Sequence, residues 1–228
     1  MNSNLLDCIE IDPEDNPTAA VIWLHGLGAD GHDFEPIVPE LRLPESLAIR
    51  YVFPHAPMRP VTINAGMVMR AWFDILDIDL KHNIDLAGFL ESADHLRALI
   101  EREIQAGMAS ERIVVAGFSQ GGAVALHTAL RYEKKLAGII ALSSFLPTAS
   151  STADERAPVN ADTPVFMGHG SADPMVPIGS GIEARQELTR LKYDISWQDY
   201  PIPHSVCPEE IEDIRNWLVN VLMPKSGT

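Results

Sequence analysis

Apolar positions along the chain fall into two alternating patterns. Short runs rich in Val, Ile, Leu and Ala recur at 5–11, 19–25, 47–53, 113–117, 136–142, 164–168 and 195–200. Their length and near-continuous hydrophobicity predict strands, most of them covered on both faces. Between them, Leu86, Phe89, Leu90, Ala93, Leu96, Leu99, Ile100 and Ile104 recur at helical spacing and predict a long amphipathic helix. Residues 123–131, 182–191 and 209–222 predict further helices. This alternation predicts an α/β fold, a mostly parallel sheet of about seven or eight strands flanked by helices on both faces. The first two runs are joined by "DPEDNP", turn chemistry that predicts a hairpin and an antiparallel leading edge.

One stretch breaks the pattern. "HAPMRPVTINAGMVMRAWFDILDIDLKHN", residues 55–83, is long and irregular, and an insertion of that length in a compact domain is usually functional. It is expected to form a flap facing substrate, with Met67, Met69, Trp72, Phe73 and Leu76 lining an adaptable apolar pocket.

Length and composition narrow the choices. The 228 residues, 46% of them hydrophobic, suit a single domain spanning 1–228 with a substantial core. A formal charge of -15, from 17 Lys and Arg against 32 Asp and Glu, would repel phosphates and argues against nucleic-acid or anionic-membrane partners. The start "MNSNLLDCIEIDPEDN" lacks a basic segment and apolar core of a signal peptide, and no run of about 18 apolar residues is present to insert in a bilayer. A soluble, cytoplasmic protein is expected. Cys8 and Cys207 lie near opposite ends of the chain and are expected as free thiols, neither a disulfide framework nor a metal-ligand cluster.

The strongest chemical signal is "VVAGFSQGGAVAL". Gly117, Phe118, Ser119, Gln120 and Gly121 form G-x-S-x-G between a predicted strand and a predicted helix, the context in which a strained turn lifts a serine hydroxyl above a sheet. Glycines are needed at 117 and 121 because the helix passes so near the strand that a β-carbon would collide. A phosphate loop is a poorer reading, since G-x-x-x-x-G-K-[ST] is absent.

A serine nucleophile needs a base and an orienting acid, and nucleophile turns of this kind present them in the order Ser, Asp or Glu, His. "GHGSADPMVP" places Asp173 after one predicted strand, and "YPIPHSVCPEEI" places His204 after the next. Both therefore fall at carboxyl ends of strands, where ligands collect in open α/β sheets. Among rivals, Asp162 precedes its strand, and Asp154 and Glu155 fall in a polar loop expected to be solvated. His169 is expected to support the Asp173 loop and His127 to be structural. His32, His55, His82 and His95 show no partner spacing, and Cys207 lies in no nucleophile turn.

"HGLGADG", His25–Gly31, follows the second predicted strand. Its glycines match G-x-G-x-x-G, but Pro36 and Pro39 interrupt the helix that a dinucleotide site requires. The motif suits an oxyanion loop instead: glycines flanking Leu27 let its amide point inward, and the amide of Gln120, after the nucleophile, supplies the second donor.

With these blocks assembled, the chain resembles the phospholipase/carboxylesterase family of α/β-hydrolases, which includes serine carboxylesterases and acyl-protein thioesterases. The likeness runs from "VIWLHGLGADGHDF" through "GFSQGGAVAL" to "YPIPHSVCPEEI". It implies Ser119, Asp173 and His204 as a triad, Leu27 and Gln120 as oxyanion donors, no metal or organic cofactor, a small-molecule ester as substrate, and allows a weak homodimer through an apolar face. The family's flap motif is matched by "GMVMRAWFDI", with Trp72 and Phe73 where aromatics line the acyl site and Arg70 where proline is common. Ester hydrolysis through an acyl-enzyme is the implied activity. Acyl-protein thioesterase and lysophospholipase are its variants, and a non-catalytic binding protein on this scaffold is the remote alternative.

Overall fold

The computed structural model describes residues 5–77 and 84–223. The last part of the expected flap and His82 therefore lie outside the described residues. Among the described residues seven strands form the main sheet: β1 Cys8–Ile11, β2 Ala19–Leu24, β3 Ile49–Pro54, β6 Ile113–Phe118, β7 Gly138–Leu142, β8 Val165–Gly170 and β9 Ile195–Tyr200. Two more, β4 Met58–Val61 and β5 Met67–Arg70, pair as a separate hairpin within the stretch read as irregular. The helices are α1 Ile37–Glu40, α2 Leu86–Gln105, α3 Gln120–Leu130, α4 Ala149–Glu155, α5 Ile178–Arg190 and α6 Pro208–Leu222.

The strand order is β1-β3-β2-β6-β7-β8-β9, and every pairing is parallel except β1 on β3. The leading edge is thus antiparallel as expected, but the predicted hairpin between the first two strands does not form. Cys8 opposes Pro54 and Ile11 opposes Tyr51. The reason is that β2 already has parallel partners on both sides, β3 and β6, so its hydrogen-bonding edges are filled. The chain instead places β1 outside β3.

Successive residues of a strand face opposite sides of the sheet, and here both sides are covered. Ala20, Ile22 and Leu24 of β2 enter one core with Phe89, Leu96 and Leu99 of α2, Val124 of α3 and Leu188 of α5. Ala19, Val21 and Trp23 enter the other with Phe34, Ile37 of α1, and Ile214, Trp217 and Leu218 of α6. This explains the near-continuous hydrophobic runs. Asp154 and Glu155, expected in a solvated loop, lie in α4, where Glu155 accepts a hydrogen bond from Arg131 at 2.8 Å. Among the described residues no helix is long and apolar enough to cross a membrane.

Candidate active site

Four segments reach one end of the sheet from the carboxyl ends of β2, β6, β8 and β9. The β6–α3 turn carries Ser119 at φ 55° and ψ -119°, a left-handed conformation that costs energy for any residue with a β-carbon. The turn is tight because α3 starts at once: a β-carbon at Gly117 would strike the backbone of Gly121, and one at Gly121 the carbonyl of Leu24. Ser119 donates its amide to Leu142 O at 2.9 Å, and Ser144 Oγ donates to Ser119 O at 2.9 Å, so the end of β7 and the residues just after it hold the strained residue.

Asp173 lies in the loop after β8, its carboxylate fully buried. Its Oδ1 accepts the amides of Met175 at 2.8 Å and Val176 at 2.9 Å. Its Oδ2 lies 2.6 Å from His204 Nδ1. With the carboxylate accepting, Nδ1 carries the proton and Nε2 is left to accept one. Phe118 backs the imidazole, ring centroids 4.6 Å apart. His169 donates Nε2–H to Val176 O at 2.8 Å, and burial keeps it below the usual histidine range. It therefore braces the Asp173 loop as a neutral ring.

Ser119 and His204 open into one cavity of about 650 Å³, within the range of small-molecule sites. Leu27 and Gln120 border the same space. Gln120 begins α3, so its N–H has no intrahelical partner. The apolar wall comes from Ile63, Met69, Ile75, Phe145 and Met175.

Of the five residues expected to line this pocket, only Met69 does. Trp72 and Phe73 are 1% and 2% exposed, packed in the core. Trp72 donates its ring N–H to His25 O at 2.8 Å and its backbone N–H to Gln120 Oε1 at 3.1 Å, and Gln120 Nε2 donates to Phe73 O at 2.9 Å. These two aromatics bolt the segment after β5 to the Ser119 turn, and Phe73 stands edge-on behind Phe145. Met67 and Leu76 are exposed outside the cavity. Of the walls that sequence reasoning missed, Phe145 and Met175 had a readable signal, because both follow the carboxyl ends of strands on the site's side of the sheet. Ile63 and Ile75 fall within the stretch 55–83 expected to face substrate, but nothing in their own spacing singled them out.

The remaining polar candidates have structural places. His127 lies against Phe89 and 2.9 Å from Thr148 Oγ1, and burial pushes it down to about 3. His32 lies 2.7 Å from Glu35, and His55 Nδ1 accepts the Gly31 amide at 3.1 Å. Cys8 and Cys207 are free thiols, each pushed up by burial, Cys8 to about 11, which leaves them poor nucleophiles.

The matching family model, described as Phospholipase/Carboxylesterase, covers residues 7–222. The chain belongs to the phospholipase/carboxylesterase family. It is a serine hydrolase with an α/β-hydrolase fold. It is 42% identical over 214 residues to acyl-protein thioesterase 1 of Neurospora crassa, covering 90% of this chain and 87% of the relative. To acyl-protein thioesterase 1 of Gibberella zeae it is 41% identical, with 92% and 93% covered. Among solved structures it is similar to acyl-protein thioesterase 2 of Zea mays, at TM-score 0.83, 29% identity and coverage of 95% and 99%.

One buried acid stands behind the site. Glu210, in the first turn of α6 after the His204 loop, is 1% exposed, with neither carboxyl oxygen hydrogen-bonded among the described residues. Gly168 of β8 makes the room, since a β-carbon there would strike Glu210 Oε1. Burial raises the carboxyl from 4.5 to about 8, and Asp213 adds to the rise. The folded protein therefore holds this proton to higher pH than the unfolded chain does, so its stability contribution, full below about 4.5, is lost as pH rises to about 8. In melting curves, the Tm of Glu210→Gln relative to the natural protein is expected to rise across that window. A difference independent of pH would show that Glu210 does not titrate there.

Proposed function

We propose that the enzyme is a serine carboxylesterase acting on esters and thioesters of short to medium acyl chains. His204 Nε2 takes the proton of Ser119 Oγ as that oxygen attacks the substrate carbonyl, while Asp173 holds the imidazole and stabilises its cation. The amides of Leu27 and Gln120 receive the developing oxyanion. The carbonyl-to-oxygen or carbonyl-to-sulfur bond breaks, the leaving group takes the proton from His204, and water activated by the same imidazole hydrolyses the acyl-enzyme. The observation that carries this reading is the 2.6 Å Asp173–His204 bond beside a cavity that Ser119 and His204 share.

The thioesterase variant is favoured by one observation, the 42% identity to a protein named acyl-protein thioesterase 1. Turnover of a matched series of esters and thioesters of increasing acyl length, with amides as controls, decides between them. Hydrolysis of both ester classes without amide cleavage is expected, with the length optimum moved by Met69→Ala, because Met69 lines the cavity wall. No turnover of any ester or thioester would end this reading. An optimum unmoved by Met69→Ala would remove Met69 from the acyl site.

A further inference from the structure

We propose that His25 is a positioning residue that aims the Leu27 backbone N–H into the oxyanion site, acting through the Gly26–Leu27 peptide plane. The inference rests on the ester-hydrolase reading above. His25 is 1% exposed and lies at the end of β2. The Ala56 amide lies 3.1 Å from His25 Nε2. An amide N–H can only donate, so Nε2 is the bare nitrogen and the neutral ring carries its proton on Nδ1. Nδ1 lies 2.7 Å from Gly26 O and donates to it.

That carbonyl and the Leu27 N–H belong to one peptide unit. The unit is planar and trans, so its C=O and N–H point in opposite directions. Gripping Gly26 O from the His25 side therefore turns the Leu27 N–H away from His25. The next peptide is held as well: Gly28, at φ 78°, donates its N–H to Arg70 O at 2.9 Å. Both peptide planes flanking the Leu27 α-carbon are anchored, which fixes its two backbone torsions before substrate arrives.

The anchors interlock. Arg70 Nη1 donates to Ala56 O at 2.9 Å, so the guanidinium restrains the residue whose amide selects the His25 tautomer. Trp72 donates from its ring to His25 O and from its backbone to Gln120 Oε1. The residue carrying one proposed oxyanion donor is thereby tied to the residue that aims the other. This gives Arg70, which stands where the family resemblance expects proline, a specific task.

Two near-isosteric substitutions separate aiming from mere packing. His25→Asn keeps a donor near the Nδ1 position for Gly26 O and loses the acceptor for Ala56. His25→Gln reaches the Nε2 position, accepts from Ala56 and leaves Gly26 O with only the longer bond from the Ala29 amide, at 3.3 Å on the side of its own turn. His25→Gln is expected to lose about 10²-fold in kcat on a p-nitrophenyl ester with KM within about threefold, the effect of losing one oxyanion donor. Its affinity for a trifluoromethyl ketone, which presents an oxyanion to the site, falls in parallel. His25→Asn retains at least about tenfold more kcat than His25→Gln at a similar Tm, since it keeps the bond that aims the donor.

Equal kcat for the two variants, or natural kcat and ketone affinity in His25→Gln, would overturn the proposal. Should His25→Gln not fold, Arg70→Met supplies the test. Its side chain is only half-buried, and loss of the Ala56 clamp is expected to lower kcat by about threefold or more at unchanged KM, with unchanged kcat refuting the aiming role. Failure of the ester-hydrolase reading is distinguishable, because the natural enzyme itself would then neither turn over the ester nor react with a fluorophosphonate.

Discussion

Ser119→Ala is expected to lower kcat on a p-nitrophenyl ester by on the order of 10⁶-fold while the protein keeps its fold. In the proposed mechanism the loss is large because His204 and Asp173 have no chemistry to perform without the hydroxyl, so one deletion disables the whole group. The fold survives because alanine carries the same β-carbon into the φ 55° position and meets the same strain; the bonds that hold this turn use its backbone amide and carbonyl. Circular dichroism should therefore match the natural protein, and covalent labelling by a fluorophosphonate should vanish. A folded variant that keeps most of its activity would end the case for Ser119 as nucleophile.

Asp173→Asn carries the second largest effect, a fall in kcat of about 10⁴-fold. Two amides, those of Met175 and Val176, already donate to Oδ1, so an asparagine must place its carbonyl oxygen there and turn its NH₂ toward His204. That group donates to Nδ1 where the carboxylate accepted. The imidazole proton moves to Nε2, and the nitrogen proposed to accept the Ser119 proton can no longer take it. Because the shape is almost unchanged, KM should move little. A variant with more than about a tenth of the natural kcat would show that Asp173 does not set the tautomer.

All seven strands of the main sheet lie where the apolar runs predict them, and α2 lies over its predicted span. These features depend on neighbours in the chain: a strand covered on both faces reads as a continuous apolar run, and an amphipathic helix repeats every three or four residues. The Ser119 turn is local in the same sense at Gly117, whose β-carbon would strike Gly121 four residues on, whereas Gly121 is required by the carbonyl of Leu24 on a neighbouring strand. The placing of Asp173 and His204 after successive strands follows from the parallel alternation, which carries both to the same end of the sheet.

Other features depend on what approaches from elsewhere. Nothing near β1 says that β3 will be its partner; that follows from β2 having no free edge. Trp72 and Phe73 are as apolar as any pocket lining, yet the carbonyl of His25 and the side-chain amide of Gln120, both about 47 residues away along the chain, draw them into the core. Hydrophobicity states that a side chain leaves water, not whether it enters the core or a cavity wall.

By itself, then, the order of residues determined the α/β alternation, the strained serine turn and the three polar side chains bound for one end of the sheet, because each rests on short-range periodicity or turn sterics. Tertiary structure alone decided which strand covers the edge, which of the flap's apolar residues face the cavity, and that the Ala56 amide leaves His25 Nδ1 as the nitrogen that donates to Gly26 O. Those outcomes depend on hydrogen bonds and packing between segments distant in sequence, and no local pattern encodes them.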